Sequence, residues 1–186
     1  MSKKVTDKQK HSLWQQRLEA NFLASFQLGG TVFDPGPAHP GLPHLRALHH
    51  ALFQDVLEDA GELRRVDIQL GDTPCCHFEY IEKEGNALMQ SLEDENGLAD
   101  LPLETLTERL AWYYCELTVL HPFLHGNGRA QRLLFEQVII QAGFDIQWKN
   151  IDAESWQAAN QASLDGDLSL LTDAFGKVVS DRPESA

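Results

Sequence analysis

Positive charge is scarce in this chain. Its 186 residues carry 15 Lys and Arg against 28 Asp and Glu, a net charge of -13. That balance argues against nonspecific nucleic-acid binding as the main activity. It leaves room for a small local basic cluster that holds phosphates. Long apolar runs are missing too: none approaches the ~20 residues that span a bilayer. The basic start, Met1 to Lys10, is followed by no apolar stretch, so a secretory signal is not expected. Cysteine is limited to Cys75, Cys76 and Cys115. An odd count without CxxC spacing argues against a disulfide framework or a structural zinc site. A reducing cytoplasm is the expected compartment. There is no internal repeat and no low-complexity segment.

What is present is helical periodicity. The length suits one domain with a real core. Trp14, Leu18, Phe22 and Phe26 recur at helical spacing and predict a helix over 8–28. Gly and Pro punctuate 29–43 into a loop. A second helix is expected over 44–58, carrying Leu45, Leu48, Leu52 and Val56, and Gly61 closes it. Residues 66–81 change character. Val66 to Leu70 alternates apolar and polar, Gly71-Asp-Thr-Pro74 is turn chemistry, and Cys76 to Ile81 alternates less cleanly, so one β-hairpin is expected. Helices are predicted over 83–94, 102–120, from about 129, over 152–163 and over 167–178. His121-Pro122 ends the long one, because a residue before proline is pushed out of the α region. The fold class is all-α with one short hairpin. The expected organisation is an N-terminal helix and loop over 1–39, one domain over 40–180 and a disordered tail over 181–186.

The chemistry concentrates in His121-Pro-Phe-Leu-His-Gly-Asn-Gly-Arg-Ala-Gln-Arg132. Gly126, Asn127 and Gly128 lie where one helix ends and the next begins. Glycine lets a ligand approach the backbone, and a helix N-terminus offers unpaired N–H groups to an anion. Arg129 and Arg132 stand three apart, on one helix face, and can donate to phosphate oxygens. This is a polyphosphate site without a Walker lysine. His121 stands at the other end of the loop, with an ordinary imidazole pKa that suits a general base. Phe123 has no chemistry to offer and is expected to anchor the loop in the core. Singly, each feature is weak. Together they fix seven positions, and at ~5–7% usage per residue a chance match falls below roughly one in 10⁸ per start.

The string resembles the Fic family signature, HxFx(D/E)GNGRxxR. Gly41-Leu-Pro-His-Leu-Arg46, His49, Leu52-Phe53 and Ala60-Gly-Glu-Leu-Arg64 resemble the helix that precedes the Fic flap. The stretch 66–81 resembles the flap, and about 40–178 is covered. The likeness is greatest to stand-alone bacterial Fic toxins. It implies the Fic fold, a helical bundle with one hairpin flap, and a protein adenylyltransferase that moves AMP from ATP to a target hydroxyl. His121 would be the base, Gly126, Asn127 and Gly128 the anion nest, Arg129 and Arg132 the phosphate contacts. Asp72 and Thr73 on the flap would dock the target segment by strand addition. Partners implied are a target protein, a type II topoisomerase subunit being one such target, and a small antitoxin in trans. Membrane and direct nucleic-acid binding are not implied. A Lys at position 128 would imply phosphorylation instead, so Gly128 favours nucleotidyl transfer.

One departure matters. The signature has Asp or Glu where this chain has His125, and that carboxylate binds Mg²⁺. Mg²⁺ prefers oxygen ligands, whereas imidazole suits zinc, copper or nickel. The expectation is altered Mg²⁺ handling with transfer retained. The alternatives are a degenerate module that binds nucleotide or a partner, and an enzyme moving UMP or phosphocholine. Thr118 also replaces a common Asn. Ser91 to Asn96 matches the letters of the family's inhibitory motif but falls between flap and active-site helix, so it reads as coincidence. Glu93-Asp94-Glu95 reads as a solvated helix end, and Trp112-Tyr113-Tyr114 as core plus an adenine-pocket wall. His39, His44, His49 and His50 contain no pair at i,i+3 or i,i+4 spacing and read as surface or core histidines.

Overall fold

The structure is a computed structural model that describes residues 40–181. The expected helix over 8–28, and the tail beyond 181, lie outside the described residues.

The central element is a long helix, α3 (Leu103–Leu120), which follows α1 (Leu42–Phe53) and α2 (Ile81–Asp94) and precedes α4 (Asn127–Gln141), α5 (Ala153–Leu164) and α6 (Ser169–Val178). Leu106, Leu110, Ala111, Tyr114 and Leu117 of α3 are all buried. They are apolar on more than one face because α3 packs against α2, α4, α5 and α6. An aromatic cluster of Tyr114, Phe135, Trp156 and Phe175 joins α3 to α4, α5 and α6, with centroids 5.1 to 5.6 Å from Tyr114. At the other end, α1, α2 and α3 meet at Gly85. A Cβ there would lie 3.1 Å from Leu42 and 3.2 Å from Leu120, so the close approach needs glycine.

Two small antiparallel sheets complete the fold. In the flap, β1 (Gln69–Leu70) pairs with β2 (Thr73–Pro74) across the Gly71-Asp72 turn. The hairpin is much shorter than the expected 66–81. Its flanks are held by other groups: the Asp67 carboxylate accepts the Phe78 N–H at 3.0 Å, and Cys76 N–H donates to the Val119 carbonyl at 2.9 Å. Phe78–Tyr80 turns as a 3₁₀ segment into α2. The second sheet was not expected: β3 (Phe144–Ile146) pairs with β4 (Val179–Asp181), with Phe144 opposite Asp181. Asp181 therefore belongs to the fold and not to the tail. Three-residue strands are too short to show alternation.

Glu95 also corrects the expected solvated end. Its carboxylate accepts from Arg109 Nε at 2.8 Å, from Arg109 Nη2 and from Tyr113 Oη at 2.7 Å. Arg109 in turn stacks over the Trp112 ring, 4.7 Å from its centroid. The glutamate of the inhibitory-motif letters is thus paired with Arg109.

Candidate active site

The loop from His121 to Gly126 connects α3 to α4. His121 ends α3 in the left-handed region, at φ 43° and ψ 63°, with Pro122 behind it. Gly126 starts α4 at φ 77° and ψ 2°. Between them Phe123 is buried and Leu124 and His125 are exposed.

The His121 ring has a defined tautomer. Nδ1 lies 3.3 Å from the Thr118 carbonyl oxygen, which can only accept, so Nδ1 carries the proton. Nε2 then holds the lone pair of a base. Burial holds the imidazole below its ordinary pKa of 6.5, outweighing the Thr118 bond, and nearby Arg64 pushes the same way. His121 is therefore neutral near pH 7.

At the far end, the first bonds into α4 run from the N–H groups of Arg129 and Ala130 to the Gly126 carbonyl, each 3.2 Å. The N–H groups of Asn127 and Gly128 precede them as first-turn donors, suited to an anion. Asn127 also ties the loop together through its side chain. Its side chain turns inward, accepting Phe123 N–H at 2.9 Å and donating to the Phe123 carbonyl at 2.7 Å. Its side chain thus holds the loop around Phe123, while its backbone N–H stays among the first-turn donors of α4. Burial pushes the Tyr114 phenol up to about 12, against the charge of the nearby Arg132 guanidinium. Arg129 and Arg132 are both half-buried on α4. Gln131 donates to the Tyr114 carbonyl at 2.5 Å and to Thr118 Oγ1 at 2.9 Å, tying α4 to α3. Thr118 is thus absorbed into packing. Tyr113 and Tyr114 are core, while Trp112 lines a cleft of about 330 Å³ between α2 and α3 with Cys76 and Leu88.

The flap residues Asp72, exposed, and Thr73, half-buried, sit at the hairpin tip. Buried Arg64 connects the flap to the loop. It donates from Nε to the His121 carbonyl at 2.7 Å and from Nη1 to Val66 O at 2.7 Å. Its Nη2 serves the Cys76 carbonyl and, at 3.2 Å, that of Leu120. His49 is the other residue whose part was not foreseen. Its Nδ1 accepts Gly61 N–H at 2.8 Å, so Nε2 carries a proton and donates to the His125 carbonyl at 2.9 Å. Its ring stacks on Phe123, centroids 3.8 Å apart. The only sequence signal for either was that both fall within the stretch resembling the pre-flap helix.

The donor set does not suit Mg²⁺. His125 offers an imidazole where a carboxylate oxygen is wanted. Among the described residues no group of three or more His, Cys, Asp or Glu side chains could hold a metal ion.

The structure thus presents a neutral imidazole and a helix N-terminus at the two ends of one loop, beside a short hairpin on a helical scaffold. The Fic/DOC family model matches residues 41–139, and a second model, YhfG, matches residues 3–49. The chain is 53% identical to the probable protein adenylyltransferase Fic of Escherichia coli, over 92% of this chain and 86% of that one. It is 50% identical to the corresponding protein of Salmonella typhimurium, over 91% and 85%. Among solved structures, the N-terminal Fic domain of a cell filamentation protein from Bartonella quintana, with bound ADP, superimposes with a TM-score of 0.82. The identity is 22%, and the match covers 96% of this chain and 88% of that one. The chain belongs to the Fic/DOC family, and its fold is the Fic fold. Among the described residues no helix is long and apolar enough to cross a membrane.

Proposed function

We propose that this chain is a protein adenylyltransferase. The observation that supports the reading is the contact of His121 Nδ1 with the Thr118 carbonyl, which leaves Nε2 to take up a proton at one end of a loop whose other end is the N-terminus of α4. A target hydroxyl would pass its proton to His121 Nε2 as its oxygen attacks the α-phosphorus of ATP. The new O–P bond forms as the bond to the bridging oxygen breaks, and pyrophosphate leaves. The N–H groups of Asn127 and Gly128, with Arg129 and Arg132, would hold the phosphates. Gly128 presents no side chain to the nest, which supports transfer of a nucleotidyl group. Asp72 and Thr73 would register the target chain along the flap edge. Mg²⁺ is not given a protein ligand in this reading. A type II topoisomerase subunit as target, and restraint by a small antitoxin in trans, belong to the proposal on family resemblance alone.

The test is incubation with ATP, UTP, GTP or CDP-choline, followed by intact-mass analysis. One adenylyl mass with ATP, lost in His121→Ala, is the expected result. A mass from another donor identifies a different transferred group. ATP binding without any transfer, to this chain or to a supplied target, supports instead the alternative of a module that only binds nucleotide.

A further inference from the structure

We propose that His49 and Arg64 are positioning residues that clamp the catalytic loop at its two ends, His49 setting the anion nest and Arg64 setting the base and the flap. The kinetic part rests on the proposed transfer reaction; the geometric part does not.

The loop has few main-chain bonds of its own. Asn127 closes it internally, around Phe123. Its two outer carbonyls are taken by side chains that lie outside the signature. The His121 carbonyl accepts from Arg64, and the His125 carbonyl from His49. Both donors come from one connected piece of chain. His49 on α1 accepts the Gly61 N–H, and the Gly61 carbonyl accepts Arg46 Nε at 2.8 Å. Three residues on, Arg64 N–H donates to the Pro122 carbonyl at 2.9 Å. The stretch 61–64 therefore backs the loop, through Gly61 to His49 and through Arg64 to Pro122.

The two ends serve different parts. His49 lies directly beneath the nest: a Cβ on Gly126 would come within 3.1 Å of His49 Nε2. The bond to the His125 carbonyl fixes the peptide that leads into Gly126, whose carbonyl starts α4. Burial keeps His49 neutral, which preserves its one-donor, one-acceptor role. Arg64 is 4% exposed, and its charge is met by carbonyl dipoles, two of them at the C-terminal end of α3 where helix carbonyls carry partial negative charge. Its other carbonyls, Val66 and Cys76, belong to the flanks of the flap. One guanidinium thus sets the distance between base and docking edge. Lysine could keep the charge, but its single ammonium could not serve all four carbonyls that the forked guanidinium reaches.

The experiment uses the full chain with four variants. His49→Phe keeps the ring stack and loses both hydrogen bonds. His49→Gln restores a donor. Arg64→Lys keeps the charge, and Arg64→Gln keeps part of the donor set. ATP affinity is read by calorimetry, saturating rate by self-modification, and local order by hydrogen–deuterium exchange. For His49→Phe, ATP affinity should fall about tenfold, the scale of one lost polar contact, with a smaller change in saturating rate. Exchange should quicken over 123–130, and His49→Gln should recover most of the loss. For Arg64→Lys, ATP affinity should stay within about twofold while the saturating rate falls at least tenfold, as for a misplaced reacting group. Its exchange should quicken over 64–77. Equal losses of affinity and rate in both, or exchange changes spread over the whole domain, overturn the division. So does a His49→Gln variant no better than His49→Phe. If the wild type binds ATP and transfers nothing, the proposed reaction fails, while affinity and exchange still decide the clamp.

Discussion

A single methyl group at Gly126 should separate what the nest needs from what the helix needs. Gly126 sits at φ 77°, and an added Cβ would fall 2.5 and 2.6 Å from two ring carbons of Phe53. Phe53 is 1% exposed and cannot swing away. The left-handed conformation costs a non-glycine residue about 1–2 kcal/mol. Overpacking a filled core costs a further ~1–3 kcal/mol. Together Gly126→Ala should lose about 2–5 kcal/mol, a large share of the ~5–15 kcal/mol that holds a domain folded. At roughly 2–4 °C per kcal/mol for a chain this size, thermal unfolding should come about 4–20 °C earlier. Gly128→Ala is the control. Its Cβ would meet only Arg132 Nη1, at 3.7 Å, with the backbone already helical. Its melting temperature should hold or rise slightly, since alanine favours helix by up to ~1 kcal/mol. ATP affinity should fall in both variants, in Gly128→Ala because the methyl crowds the phosphates. A Gly126→Ala protein melting within about 1 °C of wild type would refute this account of the loop.

Three further outcomes follow from the site and its surroundings. His125→Glu supplies the oxygen ligand that Mg²⁺ prefers and should raise Mg²⁺-dependent self-modification several-fold; no gain by intact mass removes position 125 as the limit on the chemistry. The acid midpoint of kcat/KM should lie below 6.5, because burial lowers the His121 pKa in the free protein; a midpoint at or above 6.5 in that pH–rate profile contradicts the assignment. Glu136 is raised above its ordinary 4.5 by burial, against the bond from Trp148 Nε1 at 3.2 Å. The folded state then holds the proton longer than the unfolded one, so stability falls as pH rises through that window and stays lowered at neutral pH. Glu136→Gln keeps an acceptor for the indole, so its melting advantage over wild type should grow from pH 4 to pH 7; a constant difference argues against a buried carboxylate cost.

What could be read in the sequence was what depends on near neighbours. The helix expected over 102–120 is Leu103–Leu120, because a run of apolar residues at helical spacing and a His-Pro break are local features. The loop was legible for the same reason: a helix N-terminus, two glycines and two arginines act through geometry within a few residues. Reading failed where a distant group decides. His49 lies 76 residues from the carbonyl it holds, and Arg64 lies 57 from His121. Neither contact leaves a spacing rule. The Asn127 amide turns back onto Phe123, and nothing local in the sequence shows that contact. The strands β3 and β4 lie more than thirty residues apart in the chain and expose no period. Glu95 looked solvated among acids until Arg109, 14 residues on, closed over it.

The net charge of -13 bears on this site differently from how it bears on the whole surface. A nucleic-acid strand presents a line of phosphates and needs cations spread along a face, since its affinity grows with the number of phosphates neutralised. A nucleotide presents one cluster and needs one nest. Surface carboxylates beyond about 8 Å are largely screened at physiological salt. The donors of the first turn of α4, with Arg129 and Arg132, would act at contact distance, where screening is weak. An acidic chain that places Arg129 and Arg132 beside one helix N-terminus should therefore favour ATP over a long polyanion. Raising the salt should change the rate of ATP association more than its rate of release, because only the approach crosses the acidic field.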